Sequence, residues 1–463
     1  MSRKREAIEI ESSGYKEWFK RAELPMTLMG GTLAMQAAGE KYLPKDPLEE
    51  EKNYQNRLKR TTLFNVFKKT LIFLSGQVFK KEINFNDEFP QSLEMFKTDV
   101  DLNGASFNFF AKQLFDQGMN EGCVHILVES NNKGEEYVNK AEEKAANIRS
   151  YFRTISALDL FAWIVVDNKL VQVRLWESVT ERVNEFEEVE VRQIRVLEPG
   201  TWKVYRQSGK TKKWLIHEEG TTSLDYIPLV TFIPGRKLSM VTGESPLIDL
   251  AELNLDHWQS KSDQKNILHI IRCPLLFMKL VDTEKVKQSV HTAIASMDKD
   301  ADMKYIEHTG KSVEAGQKDI SEIEAKMALF GLQQLIPRTG NQTATEKALS
   351  SAESNSALGS NVDSFESCLR EALSIAADFE NEKNYKTDSV VVNRDFTSNV
   401  LDPEIINAFA SLVGNEILSS KNAFDELQRK GFISESLDWI ENLTGIESQR
   451  NLGMSKQSTL FGK

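Results

Sequence analysis

The stretch SPLIDLAELNLDHWQSKSDQKNILHIIRCP, Ser245 to Pro274, decides how the rest of the chain is arranged. It predicts one long helix. Ser245 is a capping serine, and Pro246 stands at the first helical position, where a missing N–H costs nothing. Cys273-Pro274 ends it, because the residue before a proline is pushed out of the helical region. From Ser245 to Arg272 such a rod runs roughly 40 Å at about 1.5 Å per residue. Its middle, Gln259 to Asn266, is an unbroken polar run flanked by Leu247, Leu250 and Trp258 on one side and Ile267, Leu268 and Ile271 on the other. A rod apolar at its ends and polar in its middle predicts a helix that bridges two bodies or lines a wet space shared with copies of itself, not a core helix.

A second helix is predicted from about Lys318 to Ile336, with Ile320, Ile323, Met327 and Phe330 on one stripe and Pro337 as its stop. Between the two rods, Pro274 to Gly316 is about forty residues, too few for a secure core of its own. After Pro337 the run Arg338-Thr339-Gly340-Asn341-Gln342-Thr343 is a polar, glycine-bearing loop. Thr343 and Glu346 have capping-box spacing and open another helix. The serine- and asparagine-rich Ser350 to Asn361 is expected to interrupt that helix before it resumes to about Phe379.

These residues resemble the portal proteins of tailed double-stranded DNA bacteriophages. The resemblance rests on Ser245 to Phe277, on DADMKYIEHTGKSVEAG (Asp300 to Gly316), on MALFGLQQL (Met327 to Leu335) and on TATE (Thr343 to Glu346). ISALDLFAW (Ile155 to Trp163), RVLEPGTWKVY (Arg195 to Tyr205) and IPLVTF (Ile227 to Phe232) look like the same family. It extends over roughly Tyr42 to Leu427 and is specific as a string, not in any single short piece. It implies an α+β fold with these parts: an N-terminal arm, 1–47; a wing of helices and antiparallel sheet, 48–244; a first stem helix, 245–273; and a small clip, 274–316. A second stem helix, 317–337, a tunnel loop, 338–343, a kinked helix returning to the wing, 344–400, crown helices, 401–447, and a flexible tail, 448–463, complete it.

The resemblance also implies a dodecameric ring at one vertex of the capsid in the virion, assembled in the host cytoplasm. Double-stranded DNA would pass through it without sequence specificity. The large subunit of terminase would drive that DNA, the major capsid protein and scaffold would surround the ring, and a head-tail adaptor would join it later. Arg338 to Thr343 then become the DNA-facing loop, where on sequence alone they equally suit a plain helix connection. Lys261, Lys265 and Arg272, by default a solvated helix face, become a candidate ring of charge on the stem. Glu284 and Lys285 become candidate contacts of the clip with terminase and adaptor.

The chain of 463 residues has room for about three compact domains. Its formal net charge is −11, whereas a protein that grips nucleic acid is normally basic, since affinity comes largely from neutralising phosphates. An acidic chain still suits a task in which DNA slides. Cys123, Cys273 and Cys368 are too few and too scattered for a disulfide framework or a zinc ribbon and point to a reducing compartment. The longest apolar run near the N-terminus, Leu71 to Leu74, is far short of a membrane span, and no signal peptide follows the basic start, so a cytoplasmic protein is expected.

Along the chain, Gly30-Gly31 breaks any continuous helix in residues 1–47, which read as an arm or short helices. From about Leu48 a stripe of Tyr54, Leu58, Phe64, Phe67, Leu71, Leu74 and Val78 predicts one helix of about nine turns. Gly104 to Gly118 repeats the pattern, Cys123 to Glu129 reads as a buried strand, and Glu135 to Phe152 as a surface helix. Alternation at Leu170–Trp176, Val189–Leu197, Thr201–Tyr205 and Lys213–Ile216, with turns between, predicts an antiparallel meander. Ser389 to Asn393 is a strand candidate. Beyond it, helices are expected after Asp402-Pro403-Glu404, from a Ser420 cap to Gly431, and from about Glu435.

No catalytic, cofactor or metal constellation survives inspection. Gly209-Lys210-Thr211 lacks the earlier glycine of a phosphate loop and sits in a hairpin. Asp298, Asp300 and Asp302 begin like a calcium loop, but Met303 and Thr309 stand where its glycine and closing glutamate belong. Gly243 and Ser245 mimic half of a nucleophile elbow, with Leu247 in place of its second glycine. His125 and His269 read as packing residues, and Trp202 and Trp214 as sheet residues rather than base-stacking platforms. Two rivals to a portal remain: another phage structural protein, an adaptor or scaffold whose long helices pair within one monomer, and a metal-dependent nuclease with a scattered site.

Overall fold

The computed structural model describes residues 6–131, 147–208, 212–271, 275–279, 300, 302–306, 311–332, 344–383, 385–386, 388–394, 396, 410–415, 417–429, 433 and 437–448. The chain divides into two units, Met1–Val392 and Asn393–Lys463. The calls on Arg272, Glu284, Lys285 and Arg338–Thr343 lie outside the described residues, as do those on Gly209-Lys210-Thr211, on Asp402 to Glu404 and on the tail.

Most of residues 13–38 is helical. Ser12 Oγ accepts the Tyr15 N–H at 3.2 Å and starts α1 (Ser13–Met29). Gly30-Gly31 separates it from α2 (Gly31–Ala38), Gly31 taking φ +76°. Trp18 of α1 is fully buried, its indole N–H donates to the Glu121 carbonyl at 2.9 Å, and it shares a cluster with Ala22, Cys123 and Ala157.

The nine-turn helix expected from Leu48 is in fact two, α3 (Glu51–Arg60) and α4 (Val66–Val78). Thr61 donates back to the Arg57 carbonyl, a bond that draws a hydroxyl onto the last turn, and Asn65 Oδ1 accepts the Lys68 N–H to open the next. The apolar stripe runs straight across this break, so periodicity alone could not find it. α5 (Phe107–Glu121) begins at a Ser106 cap and ends at Gly122 with φ +82°, where an added Cβ would come within 2.7 Å of Ser245 and Glu244 backbone. Only glycine fits that turn and that crossing.

β2 (Val124–Ser130) runs antiparallel between β3 (Ser150–Ile155) and β9 (Leu229–Phe232). Ser150 to Phe152 are therefore strand, not the end of a helix, and Phe152 is buried against Phe96 and Phe110. A short β1 (Asn84–Phe85) pairs with β12 (Val390–Val391), within the stretch expected as a strand. The expected meander is present as a sheet in the order β4 (Leu160–Val166), β5 (Lys169–Arg182), β6 (Glu188–Glu198), β7 (Thr201–Gln207), β8 (Trp214–Thr221). Its central hairpin is longer than the alternation suggested. β4 covers β5 only to Leu175 and β7 covers β6 only from Gln193, so Glu177–Arg182 and Glu188–Arg192 run on as a two-stranded ribbon.

α6 (Ile248–Ile271) is the long helix. β10 (Leu275–Lys279) follows, antiparallel to β11 (Asp302–Ile306), and α7 (Lys311–Met327) returns alongside α6. α7 starts before the predicted Lys318. It ends in a π-helical turn, Ala328–Leu332, which shifts the phase of the stripe. Ile320, Ile323 and Met327 are accordingly buried, whereas Phe330 is exposed.

The interruption expected at Ser350–Asn361 is absent: α8 (Ala344–Phe379) is continuous. Serine and asparagine each cost a helix only a few tenths of a kcal/mol and Gly359 about 1 kcal/mol. Burial of Val362, Phe365, Leu369 and Leu373 on the same helix outweighs that. In the second unit α9 (Ser420–Arg429) is capped by Ser419, not Ser420, since Asn422 N–H donates to Ser419 Oγ. Residues 439–448 are also helical, and Trp439 packs its ring 5.3 Å from Phe424.

Glu121 is buried beneath this framework. Its carboxylate accepts from Gln117 Nε2, Ser156 Oγ and the Ala157 N–H, with burial outweighing these bonds. Burial pushes its pKa from 4.5 up to about 7. The folded chain therefore holds this proton more tightly than the unfolded chain, and stability falls as pH climbs from 4.5 to 7. Glu121→Gln should flatten that decline by about 3 kcal/mol, measured as urea midpoints across the window; an unchanged slope would refute it.

Candidate functional site

The paired helices α6 and α7 carry the residues singled out from the sequence. α6 leaves the body at Ser245, whose buried hydroxyl donates to the Met119 carbonyl at 2.7 Å and accepts the Leu247 N–H at 3.2 Å. That is a structural anchor rather than a nucleophile. Arg21 Nη1 binds Glu244 Oε1 beside it at 2.6 Å. With 24 residues, α6 spans about 36 Å.

Of its polar run, residues 259–266, only Ser262 and Gln264 are buried, and Asp263 is exposed; Asn254 and His257, just before the run, are buried as well. All but part of His257 find partners, which removes most of the cost of burying them. Asn254 Oδ1 accepts both the Val66 and Phe67 N–H groups at 3.0 Å while its amide donates to Phe64 O. A side chain from α6 thus caps the first turn of α4, a full 187 residues away. His257 Nε2 meets Glu324 Oε1 of α7 at 3.1 Å. Gln264 Nε2 donates to Val313 O at 2.9 Å, and a Cβ on Gly316 would lie 2.2 Å from Gln264 Oε1, so the two helices touch there. An apolar cluster joins them where Leu250 meets Val66, Ile323 and Met327.

On its other side the seam meets α3. Arg57, buried, holds Glu49 with two bonds, Nε to Oε1 at 3.0 Å and Nη2 to Oε2 at 2.8 Å, and also donates to Pro44 O. The paired guanidinium lowers the Glu49 carboxyl below its usual range. Ser262 Oγ lies 2.9 Å from Thr61 Oγ1, within hydrogen-bond distance, and Gln259 donates to Tyr42 O.

The predicted stem lysines line a groove between α3 and α6. Lys265 Nζ donates to Thr62 Oγ1 at 2.8 Å, and Lys261 stands one turn earlier. Arg60, Leu268 and His269 join them around a cavity of about 440 Å³. With Arg57 satisfied by Glu49, Arg60, Lys261 and Lys265 give the groove its positive field. Arg60 was missed from the sequence. The basic run Arg57-Leu58-Lys59-Arg60 was visible, but nothing in it points to residues two hundred positions on.

Elsewhere, His125 is buried with Nδ1 2.9 Å from Thr231 Oγ1, and burial holds its pKa down near 3. Cys123 and Cys368 are buried thiols, Cys123 pushed up to about 12 by desolvation. Trp202 lies against Gly220, and Trp214 lies 5.7 Å from Trp176. Among the described residues there is no group of three His, Cys, Asp or Glu placed to hold a metal ion, and no helix long and apolar enough to cross a membrane.

A family model described as a domain of unknown function (DUF4055) matches residues 246–380, from the start of α6 to the end of α8. No curated protein matches. Among solved structures, the neck of an empty gene transfer agent particle, computed with C6 symmetry, is similar at TM-score 0.42 and 10% identity, over 84% of this chain and 90% of that one. The neck of the native particle, computed with C12 symmetry, gives 0.41 at 10% identity over 86% and 92%. The virion of the native particle gives 0.38 at 10% identity over 77% and 86%.

Asn254→Leu leaves the Val66 and Phe67 N–H groups buried without an acceptor and should cost about 2–4 kcal/mol in urea unfolding. Lys265→Ala, at the groove, should change stability by no more than about 0.5 kcal/mol. Equal effects of the two would contradict the seam described.

Proposed function

We propose that this chain is a portal protein: a ring at one vertex of a phage capsid through which double-stranded DNA is packaged, retained and ejected. The observation that carries it is the path from α6 through β10 and β11 to α7. Two long helices lie side by side, joined at one end by a small two-stranded insertion. Such a pair suits a stem, with the insertion as a clip. The polar seam supports this, because it fixes the register of the two helices without requiring an apolar core between them. An adaptor or scaffold with an internal helix pair is the second reading, favoured only by the same pairing within one monomer. The protein is proposed to have no catalytic activity of its own.

In this mechanism the work is geometric. Rotational symmetry repeats one weak loop contact around an axis, and a chain of net charge −11 keeps phosphates from binding deeply. A separate ATP-hydrolysing terminase moves the DNA. Arg338 to Thr343 touch it in passing, and the clip, with Glu284 and Lys285, meets first terminase and then the adaptor.

Deleting Gly340 to Gln342 should leave assembly intact while packaged DNA is lost, read as nuclease-protected DNA per particle. Wild-type retention by assembled rings would rule out the loop's role. Charge reversal at Glu284 and Lys285 should weaken terminase binding by about tenfold or more in a pull-down titration; unchanged binding there and to the adaptor would remove the clip assignment.

A further inference from the structure

The β5–β6 ribbon carries a valine-bearing face beyond the point where, among the described residues, its flanking strands end. The register sets Val173 opposite Leu197 and, farther out on the same side, Glu177 opposite Gln193, Val179 opposite Val191 and Glu181 opposite Val189. Val173 and Leu197 are core residues of the sheet. Next to them on this face, Arg195 and Glu177 join an ion-pair cluster with Glu129 and Arg153, and beyond it the face continues into solvent, where Val179 and Val189 are exposed. Val183 follows at 61% exposure, and Phe186 at the tip reaches 91%. The opposite face is polar: Ser178 with Arg192, Thr180 with Glu190, and Arg182 with Glu188. Among the described residues no strand pairs with either edge of the ribbon beyond Leu175 and Gln193. Two strands alone are only marginally stable in water, so a ribbon of this length needs a surface to lie on.

Its charge narrows what that surface is. Ser178 to Arg192 hold five glutamates against two arginines, and three of the glutamates flank Phe186 in Glu185-Phe186-Glu187-Glu188. An exposed aromatic ringed by carboxylates calls for a basic concavity with an apolar element. The α3–α6 groove is one: Arg60, Lys261 and Lys265 surround it together with Leu268. Because Phe186 is almost wholly exposed in the single chain, the groove it enters must belong to another molecule.

We infer that the ribbon docks on a second copy of this chain, with Phe186 in that copy's α3–α6 groove and Glu185, Glu187 and Glu188 against Arg60, Lys261 and Lys265. Ribbon and groove are different surfaces, so the contact is head-to-tail and closes into a ring when the rotation permits. It deepens the portal proposal and rests on it for closure. The aromatic tip is the anchor; the ion pairs around it set direction and exclude other seats.

The test is site-directed cross-linking of the full chain with Cys273→Ser as background. Phe186→Cys paired with Leu268→Cys should give a ladder of disulfide-linked copies under mild oxidation, and either cysteine alone should not. In parallel, Glu187→Lys with Glu188→Lys should raise the concentration for half-assembly by about tenfold, as should Lys261→Glu with Lys265→Glu; the combined protein should recover. All these positions are at the surface or groove, and circular dichroism checks that each variant is folded. Rings that form normally with every variant, and no ladder, would overturn the docking and leave the portal proposal standing. A ladder that stops at two copies would support docking and count against the ring. A wild-type chain that never associates would overturn both, and protection of the groove by added DNA with no ladder would assign it to nucleic acid instead.

Discussion

The placing of α3, α4 and α7 depends on the polar seam along α6. A helix packed against several others usually buries an apolar stripe, but here Asn254, His257, Ser262 and Gln264 carry part of the contact through amides, a hydroxyl and an imidazole. Each of those groups costs free energy to bury and recovers it only in one geometry. Asn254 recovers it on the open end of α4 and Gln264 on a carbonyl of α7. Slide α6 by one turn and both fail together. A greasy interface would have tolerated that slide. The seam exchanges some strength for a fixed register, which is what a long element needs if its two ends are to keep a set separation.

Much of the fold could be read from the residues, and the errors share a cause. The two long helices, the meander and the helices after residue 420 follow from periodicity and capping, because those signals are local. α6 begins at Ile248, three residues inside the start marked by Ser245, and two residues of its polar run, Ser262 and Gln264, are buried where a wet face was expected. Polarity predicts exposure only when no partner is in reach, and the partners, Arg57, Thr61 and Val313, come from elsewhere in the chain. The break between α3 and α4 was hidden by an apolar stripe that crosses it unbroken. The continuity of α8 was hidden by weak helix formers that packing overrides. Phe330 left its stripe through a π-helical turn that no periodic template contains.

The candidate site was legible only in half. Lys261 and Lys265 were visible as basic residues of a helix face, but a groove needs two walls, and Arg60 on α3 supplies the second. The ribbon was half legible: alternation from Val189 to Leu197 marked its second strand, whereas the alternation marking the first strand was followed only to Trp176. It took the register to put its valines on the side that faces the core further in. In the proposed docking, acidic ribbon and basic groove become two halves of one contact, and in the proposed portal the negative charge of the remaining surface suits a passage that DNA crosses without stopping.

The central claim is that copies of this chain close into a ring around a passage. Negative-stain electron microscopy of the purified full-length protein, with mass photometry of the same sample, tests it most directly. Rings with a central hole and a mass near about a dozen copies are the predicted result. A population that stays monomeric, with or without scaffold present during assembly, would contradict it.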